Sequence, residues 1–243
     1  MMGFPQDTLE GEAERTTQSA GYVIIVKKTL DRLINLYKYE LGKIKKPVLP
    51  VSKSSITGQT IIQTSPFTTA DKLGPNATGK GEVWLKPGTT EAKIFQFDHL
   101  RTDGLKIVLG AGNHSFLSAV DTLCALFQEH RVVYLKHHPL RDHHDILLRN
   151  IMSPLIKDGY FNSEVDTGVA RSKEIVNHPD ATGIHLTGGK ATHDVIVWGG
   201  DQRNKPVLKA EMTSELGCVT PWLVAPQEYS EKELKKQVGH IFA

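Results

Sequence analysis

Apolar positions in this chain follow two rhythms, a helical one near the start and short unbroken runs later. Val26, Leu30, Leu33, Ile34, Tyr37 and Leu41 recur at i, i+3, i+4 and i+7 spacing and predict an amphipathic helix over residues 21–44. Lys43, Lys45 and Lys46 suit its C-terminal end, Gly42 loosens its last turn, and Pro47 and Pro50 stop it. The polar, aperiodic residues 1–20 read as disordered. Residues 51–80, rich in Ser, Thr, Gly and Pro, read as a loop with one weak strand at Thr60-Ile61-Ile62. Over 82–99, Glu82-Val83-Trp84-Leu85, a Lys86-Pro87-Gly88 turn and a partner strand with Ile94, Phe95 and Phe97 predict a β-hairpin.

From Lys106 the pattern becomes one of strands alternating with helices. Ile107-Val108-Leu109 precedes a helix from about Ser115, with Phe116, Ala119, Val120, Leu123 and Phe127 on one face. Arg131 to Leu135 is the next strand, followed by a helix over Asp142 to Met152 with Ile146, Leu147 and Ile151 inward and Pro154 limiting its length. A helix near 169–177, a strand at Gly183-Ile184-His185-Leu186, and strands at Asp194 to Trp198 and Trp222-Leu223-Val224 complete the pattern. Such alternation predicts an α/β fold: a Rossmann-like, mostly parallel sheet flanked by helices, with an N-terminal helix and a β-hairpin. Three regions follow: a disordered 1–20; a helix, linker and hairpin over 21–104; and a Rossmann-like domain over 105–243.

Composition changes this picture little. Lys and Arg total 29 against 27 Asp and Glu, a net charge of +2, which gives no electrostatic case for nucleic acid or membrane partners. The two cysteines, Cys124 and Cys218, form no disulfide framework, and the acidic N-terminus is neither a signal nor a transit peptide. The expected location is cytoplasmic.

In parallel sheets ligands bind beyond the carboxyl ends of the strands, so the residues that follow each strand carry the chemistry. Gly110-Ala111-Gly112-Asn113-His114-Ser115 joins a strand to a helix. Gly110 and Gly112 let the backbone turn tightly and approach a phosphate or nicotinamide. The Asn113 amide can donate to an oxyanion or simply cap the helix. Lys136, after the strand ending at Leu135, can reach a ribose or phosphate oxygen or extend into solvent. No acid follows it closely in sequence to take a ribose 2′-hydroxyl, which is compatible with NADP. Thr187, Gly188 and Gly189 end a strand where backbone N–H groups can hold a pyrophosphate. Glu215 in Thr213-Ser214-Glu215-Leu216-Gly217-Cys218 is read as an apolar-set carboxylate whose burial raises its pKa towards that of a general base, with Glu211 as its rival.

Taken in order, these segments resemble the aldehyde dehydrogenase superfamily. Leu109 to Asn113 is similar to the segment whose asparagine helps bind the oxyanion. Val133-Tyr134-Leu135-Lys136 is similar to the strand whose lysine contacts the adenosine ribose. Ile184 to Gly189 is similar to the T-G-S turn under the pyrophosphate, and Glu215-Leu216-Gly217-Cys218-Val219-Thr220-Pro221 to the E-L-G-G-K-S-P signature. The resemblance covers about residues 105–225. It implies Glu215 and Asn113 as catalytic residues. It implies Gly110, Gly112, Lys136, Thr187, Gly188, Gly189, Leu216 and Gly217 as contacts for NAD or NADP. The departures are Ala111-Gly112 in place of P-W, Cys218 for the second signature glycine and Val219 for the lysine.

The family's nucleophilic cysteine follows the signature, and the residues after Pro221 contain none, so the chain is expected to stop before its catalytic domain. Cys124 falls near a helix's apolar face and reads as a core residue. Cys218 lies closer to Glu215 but at a glycine position. His137, His138, His143 and His144 span a turn and a helix start and are not read as a metal site.

The leading expectation is an oxidoreductase of aldehyde or oxo donors with NAD(P), incomplete or inactive as this chain. The alternative is a non-catalytic NAD(P)-binding or subunit-pairing remnant whose exposed apolar surface invites homo-oligomers. A short Rossmann reductase fits less well, because Glu233 stands four residues past Tyr229 where such enzymes carry lysine.

Overall fold

The computed structural model describes residues 5, 7–46, 48–66, 80–89, 101, 103–200, 205–217 and 223–241. Helix α1 runs from Leu9 to Glu40, so much of the segment expected to be disordered forms its first turns. The Thr8 side chain caps it, accepting a hydrogen bond from Gly11 N at 3.1 Å. Polar contacts hold these turns down. Ser115 N donates to Gln18 Oε1 at 2.9 Å, and Ser115 Oγ donates to the Gln18 carbonyl at 2.8 Å. Hydrophobic periodicity is blind to such bonds. At the far end Gly42 takes φ +66°, with Gly42 N donating to Tyr39 O and Lys43 N to Lys38 O. That pairing closes the helix at a left-handed glycine, ahead of Pro47.

An antiparallel sheet of β1 (Val51–Lys53), β2 (Thr60–Ser65) and β3 (Gly81–Trp84) follows, in that spatial order. β2 contains the expected strand at Thr60, whereas β1 was not foreseen. The turn after β3 forms, with Thr89 N donating to Lys86 O at 3.0 Å. β3 pairs with β2, Val83 beside Ile62. The expected hairpin partner at Ile94, Phe95 and Phe97 lies outside the described residues.

The remaining strands are β4 (Leu105–Leu109), β5 (Val132–Lys136), β6 (Phe161–Glu164), β7 (Ala181–Gly188) and β8 (Glu211–Leu216). They form one parallel sheet in the order β6-β5-β4-β7-β8. The order reverses between β4 and β7, which defines a doubly wound, Rossmann-like α/β fold. Successive residues of a strand face opposite sides. Val108, Val133, Leu135 and Phe161 pack beneath Leu33 of α1, Ala119, Leu123 and Leu126 of α2 (Leu117–Phe127), and Leu148 of α3 (Asp145–Ile151). Ile107 and Ile184 face the other way, against Ile175 and Val176 of α5 (Val169–Val176) and Ile196 of α6 (Lys190–Trp198). A short α4 (Ser153–Lys157) precedes β6, and α7 (Glu231–Ile241) ends the described chain.

Several expectations are corrected here. Asp194 to Trp198 belongs to helix α6, although Val195-Ile196-Val197 is β-branched. That segment is the crossover between parallel β7 and β8, and crossovers of this kind are usually helices. Gly199, at φ +75°, terminates it. Trp222 lies outside the described residues, and Leu223 and Val224 form no strand; the last strand is Glu211–Leu216 instead. Ile146, Leu147 and Ile151 point outward, 67%, 58% and 65% exposed, because Leu148 and Met152 take the core positions. The helix expected from Asp142 is divided into a 3-10 turn (Pro139–His144), α3 and α4, and Pro154 sits in the first turn of α4, where a missing N–H leaves no bond unmade.

Candidate functional site

Strand register aligns the ends of the parallel strands. Leu109 lies beside Lys136 and Leu186, Lys136 beside Glu164, Thr187 beside Glu215, and Gly188 beside Leu216. The loop bearing Asn113, Lys136, the Gly188-Gly189 turn and the Glu215 strand end therefore share the carboxyl edge of one sheet. Adjacent strands are about 4.8 Å apart, so β5 and β8, three spacings apart, place these groups within roughly 15 Å. The switch between β4 and β7 falls in the middle.

The two glycines after β4 serve the chain's own packing. Gly110 is buried and its N–H donates to Lys136 O at 2.9 Å. A Cβ on Gly112 would stand 2.6 Å from the His138 imidazole. The Gly112 and Asn113 carbonyls accept from the Arg141 guanidinium at 3.0 and 2.8 Å. Asn113 is exposed, and it does not cap α2, whose N-cap is Phe116 with no side-chain cap bond.

Lys136 is not a solvated lysine. It is buried, and its ammonium group hydrogen-bonds to Asp166 in the loop after β6. That bond holds the Asp166 carboxyl below the usual carboxylate range. Next to it, burial tends to raise the Glu164 carboxyl, but hydrogen bonds from Arg171 and Tyr134 outweigh this and lower it. The acid beside Lys136 thus comes from the loop after the neighbouring strand, separated by 30 residues.

Gly189 is the N-cap of α6 and supplies no side-chain cap bond. Among the described residues nothing lies within 4 Å of a Cβ built on it. The helix starts at the strand-order reversal, with no described residue against Gly189, and its first N–H groups have no partner within the helix. Gly217 N closes the adjacent edge by donating to Gly188 O at 2.7 Å. Thr187 turns away, its hydroxyl donating to Asp121 Oδ2 at 3.1 Å on the α2 side of the sheet.

Glu215 is exposed, not set in apolar surroundings as its neighbours in sequence implied. Its side of β8 borders a polar group that sequence reasoning missed. His185 Nδ1 lies 3.0 Å from Thr213 Oγ1, and His185 Nε2 lies 3.6 Å from Asp121 Oδ2. Burial raises the Asp121 carboxyl; His185 and Thr187 partly offset this, and Glu215 adds to it. The rival Glu211 lies at the opposite end of β8, 3.0 Å from Arg131 Nη2. Leu216 is half-buried and Gly217 exposed. Cys124 lies on α2, where burial pushes its thiol up, and Cys218 lies outside the described residues.

The histidines have separate roles. His137 is 1% exposed, with Nε2 at 3.4 Å from Asp145 Oδ1. His138 Nδ1 accepts from Leu140 N at 3.2 Å, capping the 3-10 turn. His144 packs edge-on to Tyr22 and against His143. Burial, with His143 and Arg141 adding to it, holds its imidazole down at about 4.

A concavity of about 350 Å³ lies at the opposite edge of the sheet, lined by Val176, His178, Val207 and Ala210. At the carboxyl edge Asn113, Glu215 and Gly217 are all solvent-exposed. Among the described residues no helix is long and apolar enough to cross a membrane.

Neither a protein-family model nor a curated protein sequence matches the chain. Solved structures do align with it at low similarity. Betaine aldehyde dehydrogenase from Staphylococcus aureus, in complex with NAD+, aligns at 15% identity and TM-score 0.42 over 79% of this chain and 30% of that one. Glyceraldehyde-3-phosphate dehydrogenase GapN from Methanocaldococcus jannaschii, complexed with NADP, aligns at 15% identity and TM-score 0.41 over 79% of this chain and 34% of that one. Proline utilization A from Bradyrhizobium japonicum aligns at 15% identity and TM-score 0.36, over 70% of this chain and 14% of that one. The chain spans about a third or less of these proteins.

Proposed function

We propose that this chain binds a nicotinamide dinucleotide across the carboxyl edge of its parallel sheet and shares the chemistry of NAD(P)-dependent aldehyde dehydrogenases. The observation that carries this is the start of α6 at Gly189, at the strand-order reversal, which no side chain caps and no described residue obstructs. Such a helix end favours a pyrophosphate, because its first N–H groups have no partner within the helix. The donor set fits the rest of the group: Lys136 and Asp166 stand two strands away for a ribose, and the Asn113 loop lies between.

When bound, the nicotinamide supplies a hydride acceptor. The chain's own residues then supply polarity and a base. The Asn113 carboxamide, exposed on the loop after β4, is free to donate to an oxyanion. Glu215, exposed at the end of β8, is free to take a proton from water. Thioester chemistry also needs a thiolate, and Cys124, buried with a raised thiol pKa, does not provide one. With Cys124 unsuited and Cys218 standing at a glycine position of the resemblance, dinucleotide binding without aldehyde turnover is the expected behaviour. Calorimetric titration of the full chain with NAD and with NADP tests this, and absence of heat with both removes the proposal. A clear aldehyde oxidation rate that persists in Cys218→Ser contradicts the assignment of binding alone.

The exposed Ile146, Leu147 and Ile151 favour a second property, pairing with another subunit through α3. A strictly monomeric mass by light scattering at high concentration counts against it.

A further inference from the structure

We infer that the edge formed by β5 and β6 selects a dinucleotide with a free ribose 2′-hydroxyl, NAD rather than NADP, and that Asp166 is the residue that makes the choice. This rests on the dinucleotide-binding reading above.

A lysine at the end of the strand next to β4 looks, in sequence, like a cation for a 2′-phosphate. Its surroundings contradict that. Lys136 is buried and hydrogen-bonded to Asp166, so its charge is already matched. The other cations described at this edge are also committed. Arg171 binds Glu164 through Nε at 3.1 Å and Nη2 at 2.8 Å, and Glu174 through Nη1 at 2.9 Å. Arg141 donates to the Gly112 and Asn113 carbonyls. His138 is shifted towards its neutral form, by burial first and by the nearby Lys136 second.

What the edge offers instead is acceptors. Asp166 accepts from Lys136 and from the Gly168 backbone N–H yet remains partly exposed, and Glu164 lies directly beside Lys136 in the register. A carboxylate there accepts a hydrogen bond from a ribose hydroxyl, the usual device of NAD sites. Asp166, Glu164 and Glu174 are three carboxylates against the two cations Lys136 and Arg171, so the edge as a whole repels a phosphate dianion. The device differs from the usual one only in its source, since the acid comes from the loop after β6 and not from the strand that ends in Lys136.

The test is fluorescence or calorimetric titration of the full chain with NAD and NADP, for wild type and Asp166→Asn. Wild type is expected to bind NAD at least about tenfold more tightly than NADP, and the variant to narrow that ratio by about tenfold, the size of one removed charge at a few ångströms in partly solvated surroundings. Circular dichroism checks that the variant folds, and if it does not, the wild-type ratio alone decides. Equal or tighter binding of NADP by wild type overturns the inference while leaving dinucleotide binding intact. An unchanged ratio in folded Asp166→Asn does the same. If neither nucleotide binds, both this inference and the reading beneath it fall.

Discussion

The glycines at the carboxyl edge make opposite predictions, and the contrast tests whether the site has been located correctly. Gly112 looks in sequence like a phosphate-binding glycine, but the space above it is filled by His138, whose ring atoms would lie 2.6 Å from a new Cβ. That ring cannot swing away cheaply, because its Nδ1 holds Leu140 N at 3.2 Å and caps the 3-10 turn. Gly112→Ala therefore combines overpacking with a lost cap, and the expected cost is about 1–3 kcal/mol. Gly189 has an ordinary φ of −88°, and a methyl group added there would meet no described residue within 4 Å. Gly189→Ala should change stability by less than about 0.5 kcal/mol. Its methyl group would nevertheless stand where a pyrophosphate must approach α6, and NAD affinity should fall about tenfold. Urea denaturation followed by nucleotide titration reads both quantities. A destabilised Gly189→Ala with normal affinity, or a fully stable Gly112→Ala, refutes the assignment of the two glycines.

The remaining predictions concern stability and reactivity. His144 has a pKa of about 4 in the fold against an ordinary 6.5, so the unfolded chain takes up the proton first as pH falls. Stability should be full above about pH 6.5 and decline towards pH 4, and His144→Gln should flatten that decline; urea midpoints at about pH 7.5 and pH 5 measure it, and identical wild-type midpoints would exclude it. Arg131, with a side chain 4% exposed, bonds the Asp103 carbonyl, Thr182 Oγ1 and Glu211, and Arg131→Ala should cost about 2–3 kcal/mol. Glu211→Ala, whose side chain is 62% exposed, should cost under about 1 kcal/mol. Cys124, with its thiol pushed up by burial, should react with a disulfide reagent in the native chain far more slowly than in urea.

The parallel sheet was legible because buried strands such as Ile107-Val108-Leu109 are short apolar runs bounded by turns. The same logic misread Val195-Ile196-Val197. There β-branched residues lie in a crossover helix whose identity depends on which strands it joins. Ile146 and Leu147 were placed inward for a similar reason: one residue of phase moves a side chain from core to solvent, and Leu148 fixes the phase only once β6 is in place. The first turns of α1 were invisible because Gln18 anchors them through hydrogen bonds to Ser115.

Within the candidate site, the strand-end positions were readable and their partners were not. Lys136 was found, but its Asp166 partner sits on another strand end. Glu215 was found, but not its exposure or the Asp121, Thr187 and His185 group on its side of the sheet. Pairings across strands depend on register, which local sequence does not encode.

Hydrogen–deuterium exchange of the full chain with and without saturating NAD is the most direct test of the central claim. Slower exchange should appear together in the loop around Asn113, after Lys136, at Gly189 to Thr192 in the first turn of α6, and around Gly217. Protection confined to the opposite edge of the sheet, or none at any of these positions, would contradict a shared dinucleotide site at the carboxyl edge.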